Sequence, residues 1–271
     1  MTQTIAFIGG GNMASAIIGG LRKQGWPADH IDVVEPFDEA RASLLRQFGI
    51  TARPQAGNFL AHADLVVWAV KPQTFKDAAA QAQAHTRAAL HLSVAAGIRS
   101  DTIAHWLGSE RVVRAMPNTP ALIGKGITAL FARAAVNEAD KALVNQVLGS
   151  TGEAMWVGAE AQIDAVTALS GSGPAYMFYF MEAMREAGIG MGLDAAQAYQ
   201  LAIATFIGAG ELAKASPEPP EVLRQRVTSK GGTTYAALTA MEASGIKPAF
   251  IAAMQAAQAR AREMGEEFGA G

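Results

Sequence analysis

The sequence predicts an α/β chain in two parts, a doubly wound parallel sheet followed by an all-α domain. Three observations carry the prediction. An apolar strand signal runs straight into a glycine turn and an apolar helix within residues 5–14, strand and helix signals then alternate to about residue 160, and beyond it strand signals cease. The expected boundary divides the 271 residues into 1–160 and 161–271, lengths that allow each part a core of its own.

The first strand is Ile5-Ala6-Phe7-Ile8, and the turn Gly9-Gly10-Gly11 leads into a helix beginning near Asn12, with Ile17, Ile18 and Leu21 at helical spacing. Gly9 permits the tight turn, Gly11 lets the backbone approach a pyrophosphate, and Ala14 lets the helix pack closely on the strand. The free N–H groups at the helix start face the anion. Gly-x-Gly-x-x-Ala is weak alone. Its context is specific, because a second strand, Ile31-Asp32-Val33-Val34, follows and ends at Glu35. The expectation is a Rossmann-type dinucleotide-binding domain.

Further apolar runs lie at 65–70, 90–95 and 111–115, with a weaker one at 127–131. Strands separated by helical stretches imply a parallel sheet covered on both faces. The third strand stops at Lys71-Pro72, the fourth at Ala95-Ala96-Gly97 and the fifth at Met116-Pro117-Asn118-Thr119-Pro120. In an open parallel sheet the carboxyl ends of the strands form the ligand crevice, so these turns are expected to line one cleft with Gly9 and Gly11.

Helical segments are expected at 161–189, 194–214, 219–229, 233–243 and 247–266. From Ala161 to Met181 the only charged residue is Asp164, a length that would suit a membrane span. Gly171, Ser172, Gly173 and Pro174 interrupt its middle and argue against one. A helix apolar on all faces must otherwise be buried, and the remaining helices offer few partners. Burial against the same helix of a second subunit predicts an obligate homodimer.

Composition narrows the partners. With 22 Lys and Arg against 24 Asp and Glu, the net charge of −2 and the lack of a basic run leave no electrostatic footprint for nucleic acid or an anionic membrane. Zero cysteines exclude disulfides, a thiol nucleophile and a cysteine-ligated metal. The start, Met1-Thr2-Gln3-Thr4, lacks the basic segment of a signal peptide, and the expected location is cytoplasmic. His30, His62, His85, His91 and His105 show no metal-ligand spacing and read as surface or packing residues; no metal is expected.

Three segments of the helical half look purposeful: Glu160, Ser170 to Tyr176, and Val227 to Thr234. In the last, Gly231-Gly232-Thr233-Thr234 at a helix start exposes N–H donors and two hydroxyls, a receptor for a small carboxylate with a polar neighbour. An ordinary turn in which Thr233 or Thr234 is an N-cap fits equally well. The helical half holds no histidine. Reduction of a ketone needs a proton donor for the forming alkoxide, whereas a protonated imine already carries the charge that hydride cancels, so the pattern leans toward C=N reduction.

With these residues assembled, the chain resembles the delta-1-pyrroline-5-carboxylate reductase family, which completes proline biosynthesis. Phe7 to Ala14, Ala69-Val70-Lys71-Pro72, Arg114 to Pro120, Ser170 to Tyr176 and Ser229 to Thr234 occur in the family's order and spacing. The resemblance implies transfer of a hydride from NADPH or NADH to C5 of the cyclic imine, giving L-proline. It also implies a helical domain that interlocks with its twin, dimers in the family often being arranged into a decamer. By similarity, Gly9, Gly11, Asn12, Met13 and Ala14 hold the pyrophosphate. Ala69, Val70, Lys71, Pro72, Ala95, Gly97, Met116, Pro117 and Asn118 border the nicotinamide half. Ser229, Gly231, Gly232, Thr233 and Thr234 receive the substrate carboxylate through the N–H groups of Gly232 and Thr233. Thr234 places its hydroxyl at the ring nitrogen, and Glu160 favours the iminium electrostatically or caps the helix ahead of it.

Two departures stand out. Lys230 occupies the place of the family's proline, pointing to solvent or adding attraction for an anion. Glu35 sits where an acidic residue bonds the ribose hydroxyls of NAD and repels the 2′-phosphate of NADP, while Arg41 and Arg46 lie farther along the next helix. The competing readings are a reductase of another cyclic imine and a non-catalytic nucleotide sensor.

Overall fold

Among residues 3–269, which the computed structural model describes, seven strands form one sheet: β1 (Ile5–Ile8), β2 (Ile31–Val34), β3 (Leu65–Trp68), β4 (Leu90–Ser93), β5 (Val112–Met116), β6 (Gly126–Ala132) and β7 (Gly152–Trp156). Met1 and Thr2, part of the N-terminal reading, lie outside the described residues. The order is β2-β1-β3-β4-β5-β6-β7. The chain steps outward from β1 to β2 and returns across it to β3, so the switch point lies beside β1.

Strands β1 and β3 are buried on both faces, which is why they read as unbroken apolar runs. Alternation sends Ile5, Phe7, Val67 and Leu92 to one core and Ala6, Ile8, Val66 and Trp68 to the other. Helix α1 (Asn12–Lys23) covers the first with Ile17, Ile18 and Leu21, and α2 (Asp38–Phe48) adds Leu44. Phe75 of α3 (Pro72–Ala82) and Ile103 and Leu107 of α4 (Ser100–Leu107) fill the second. Helix α5 (Glu138–Leu148) returns to the first core through Val144 and Val147.

The sheet corrects the sequence reading in two places. β6, expected only weakly, is antiparallel to β5 rather than part of an all-parallel sheet. β7 was not expected at all: Gly-Glu-Ala-Met-Trp is an edge strand whose three central residues are exposed, so it carries no apolar run to detect.

By compactness the described residues separate into one unit of 3–173 with 257–269 and another of 174–256. Residues 161–173 stay with the first because α6 (Ala161–Val166) packs on β5 and β6. The end of α11 (Ile246–Gly269) joins it because Met264 and Phe268 seat against Gly97. The helix expected over 161–189 is interrupted by a π turn at Thr167–Gly171, in which the Ser172 N–H bonds the Thr167 carbonyl at 2.8 Å, before α7 (Gly173–Gly190) begins. Such turns re-aim a helix and recur at functional sites.

The second unit holds the rest of α7, with α8 (Ala195–Ala215), α9 (Pro220–Arg226), α10 (Thr233–Ala243) and the first part of α11. Asp194 and Gln197 start α8 with a capping box. Among its described residues only Gly188, Ala198 and Ala202 are buried, while Tyr179, Leu201, Ile207 and Leu212 are more than half exposed. That much apolar surface marks an interaction face. No helix among the described residues is long and apolar enough to cross a membrane.

Candidate active site

The carboxyl ends of the first four strands meet at one edge. The Gly9 N–H donates to the Val34 carbonyl at 2.8 Å, Ala69 to Ile8 at 2.9 Å and Val94 to Trp68 at 3.1 Å. Gly9 has φ +96, and a Cβ there would lie 2.6 Å from the Ala69 carbonyl oxygen, so only glycine fits. Gly11 differs: a Cβ there would meet nothing within 4 Å. It is the N-cap of α1 and no side chain caps the helix, so the first-turn N–H groups of Asn12, Met13 and Ala14 are open to an anion, with Ala14 itself buried. These residues fit a pyrophosphate. Glu35, by contrast, is turned inward, its carboxylate taking N–H bonds from Gly10 and Phe37.

The other expected turns surround the same edge. Lys71 and Pro72 start α3, the proline at a position that needs no N–H, and Val70 packs beside Gly9. Ala95 is buried and Gly97, at φ +76, lies under Met264 and Phe268. Pro117 follows Met116 at the end of β5, and Asn118 spends its side-chain oxygen on the Ile127 N–H at 3.0 Å, tying that turn to β6. Met116 reaches Gly171 in the π turn, where an added Cβ would be 2.4 Å from the methionine methyl.

Glu160 belongs to an ionic cluster that sequence reasoning missed. Its carboxylate accepts the Ser100 N–H and hydroxyl, each at 2.6 Å, and pairs with Arg114 at 3.1 Å. Arg114, with a side chain 4% exposed, also approaches Asp164 at 3.6 Å. Glu160 stands at the N-cap position of α6, but its side chain makes no capping hydrogen bond there, so the capping alternative is corrected. A signal was present: Arg114 sits inside an apolar strand, and a buried charge requires a partner.

In the second unit, the turn before α10 carries Gly231 at φ +76. The Gly232 N–H bonds the Ser229 carbonyl at 3.0 Å, and a Cβ on Gly232 would strike the Ser229 hydroxyl at 2.7 Å. Gly232 is therefore a shaping residue, and its expected use as a free N–H donor is corrected. Gly232 is also the N-cap of α10, without a side-chain cap, so neither Thr233 nor Thr234 plays the capping role. The N–H groups of the first turn and both hydroxyls are left for a ligand. Thr234 is half-buried, and Lys230 is exposed. Among the described residues no group of three His, Cys, Asp or Glu side chains is placed to hold a metal.

A glycine turn at the switch point of an open, largely parallel sheet defines the class as a dinucleotide-binding protein. The family model for pyrroline-5-carboxylate reductase dimerisation matches residues 160–264, and one described as NADP oxidoreductase, coenzyme F420-dependent, matches 4–97. The chain is 45% identical to the pyrroline-5-carboxylate reductase of Pseudomonas aeruginosa over 99% of both chains, and 41% identical to that of Haemophilus influenzae over 97% of both. The Coxiella burnetii pyrroline-5-carboxylate reductase structure superposes with a TM-score of 0.91 at 37% identity, covering 97% of this chain and 99% of that one. The Plasmodium falciparum structure, with NADP bound, gives 0.87 at 28%, covering 97% and 98%. The chain belongs to the pyrroline-5-carboxylate reductase family, and its helical part is a self-association domain.

Proposed function

We propose that the protein reduces 1-pyrroline-5-carboxylate to L-proline with NADPH or NADH, the last step of proline biosynthesis, in the cytoplasm. The observation that carries the substrate reading is the start of α10: a glycine-shaped turn whose N–H donors and two threonine hydroxyls serve no cap. A helix N-terminus of this kind receives a carboxylate. When bound, the dinucleotide supplies the hydride that C5 of the imine ring receives.

The residues of the chain bind and orient. Gly9, Gly11 and the first turn of α1 hold the pyrophosphate, and Ala69 to Pro72, Ala95 to Gly97 and Met116 to Asn118 border the nicotinamide. Ser229, Gly231 and Gly232 shape the carboxylate turn, the Thr233 N–H donates to the carboxylate, and the Thr234 hydroxyl meets the ring nitrogen. The iminium nitrogen keeps its proton as the C=N π pair becomes the nitrogen lone pair, so no residue has to deliver one. Catalysis then rests on orientation and electrostatics. Glu160, its carboxylate engaged by Ser100 and Arg114, acts as a positioning residue between α4 and β5. The helical unit forms an obligate homodimer.

The test is reduced-nicotinamide consumption with racemic pyrroline-5-carboxylate, for the wild type and Thr234→Ala. Loss of one such hydrogen bond lowers kcat/KM about ten- to hundredfold. Nucleotide binding without turnover in the wild type would sink the reductase reading in favour of a sensor.

A further inference from the structure

We propose that the last turns of α11 fix the turn after β4 in the shape that borders the nicotinamide, which makes Met264 a positioning residue for hydride transfer. The inference rests on the reading above that Ala95 to Gly97 lie beside the nicotinamide, and it adds what holds them there. The turn has no means of its own. Ala95, Ala96 and Gly97 carry at most a methyl group, and Gly97, at φ +76, stands where the backbone is most permissive. Such a turn needs neighbouring side chains packed on it to keep one conformation.

Helix α11 supplies that packing from one face. Ala257, Ala261, Met264, Gly265 and Phe268 recur at helical spacing and are buried or half-buried, while Arg260 pairs with Glu263 and Glu267 on the exposed side. A Cβ on Gly97 would lie 3.0 Å from Met264 Cε and 3.1 Å from its Cβ, with Phe268 Cε2 at 3.4 Å, so the methionine lies along the glycine without a gap. Gly265 backs onto the same loop, where a Cβ would lie 3.5 Å from Arg99 Cγ and 3.9 Å from the Gly97 carbonyl oxygen. A Cβ on Gly269 would lie 3.5 Å from Thr102 Oγ1. The helix therefore follows the chain from Gly97 into the first turn of α4. Phe268 also packs against the second core, which anchors the helix end to the sheet. Met264 is the handle on the turn itself.

Single-turnover hydride transfer to pyrroline-5-carboxylate, followed by loss of reduced-nicotinamide absorbance, tests this on the full chain beside calorimetry with ADP-ribose, which lacks the nicotinamide. ADP-ribose or its 2′-phosphate is chosen to match the nucleotide that the wild type turns over faster. Met264→Ala is expected to slow transfer about ten- to hundredfold, the cost of misplacing reacting atoms by about 1 Å, and to leave the probe's affinity within about twofold of wild type. Met264→Leu, close in volume, restores most of the rate. Met264→Val drops the Cε contact while keeping an apolar side chain, and gives the same pattern at a smaller size should the alanine variant not fold. An unchanged rate in the variant, or a probe affinity that falls by the same factor as the rate, would overturn the proposal. A wild type that binds the probe and transfers no hydride would overturn the reductase reading, and this inference with it.

Discussion

His91 makes the chain acid-sensitive, and the size of the effect follows from its surroundings. It lies on β4, 1% exposed, with Nδ1 accepting the Trp68 indole N–H at 3.1 Å and Nε2 buried without a hydrogen-bond partner. Burial pushes its pKa down from 6.5 to about 4, and the nearby Arg111 charge adds to the shift. In the unfolded chain the imidazole takes up a proton near pH 6.5, whereas the folded chain refuses it until about 4. Between those values the unfolded state binds more protons, so stability is full above pH 6.5 and falls as the pH is lowered through the window. At about 1.4 kcal/mol per unit, the whole window is worth roughly 3 kcal/mol.

The assay is urea unfolding at fixed protomer concentration across pH 4 to 8, for the wild type and His91→Gln, which keeps an acceptor for Trp68 and does not titrate. Taking the difference between the two proteins cancels the carboxylates, which titrate in both. The variant is expected to be about 1 kcal/mol weaker at neutral pH because its fit is poorer, and the gap should close or invert by pH 4. Parallel curves from pH 7 to pH 4 would refute the argument.

Three other outcomes follow from the packing. Glu160→Ala strips Arg114 of its nearer partner and is expected to cost about 3 kcal/mol in urea unfolding, while Glu160→Gln retains much of that; a loss below about 1 kcal/mol would contradict the cluster's role. Gly9→Ala places a Cβ against the Ala69 carbonyl at a φ of +96, so NADPH binding measured by fluorescence titration should fall at least about tenfold. Ile207→Glu puts a charge on an exposed apolar face of α8 and should shift the sedimenting species toward monomer; an unchanged dimer would place the interface elsewhere.

The sequence by itself determined the elements with strong local signals. β1, β3 and β4 read as buried strands because both faces are covered, and α8 and α10 were placed within a residue or two because their apolar runs are long and their starts are marked. The glycine turn and the Ser229 to Thr234 turn were legible for a similar reason: positive φ and close approach leave few residues able to stand there. Only the tertiary structure decided how polar groups are spent. Glu35 reads as a ribose acceptor until Gly10, 25 residues away, takes its carboxylate, and Glu160 reads as a cap until Ser100, 60 residues away, and Arg114, 46 away, take it. The edge strand β7 and the return of 257–269 to the first unit were likewise silent in the sequence. Periodicity records which side of an element is dry. It does not record which distant donor will satisfy a carboxylate once water is gone, and that pairing is set by the folded neighbours.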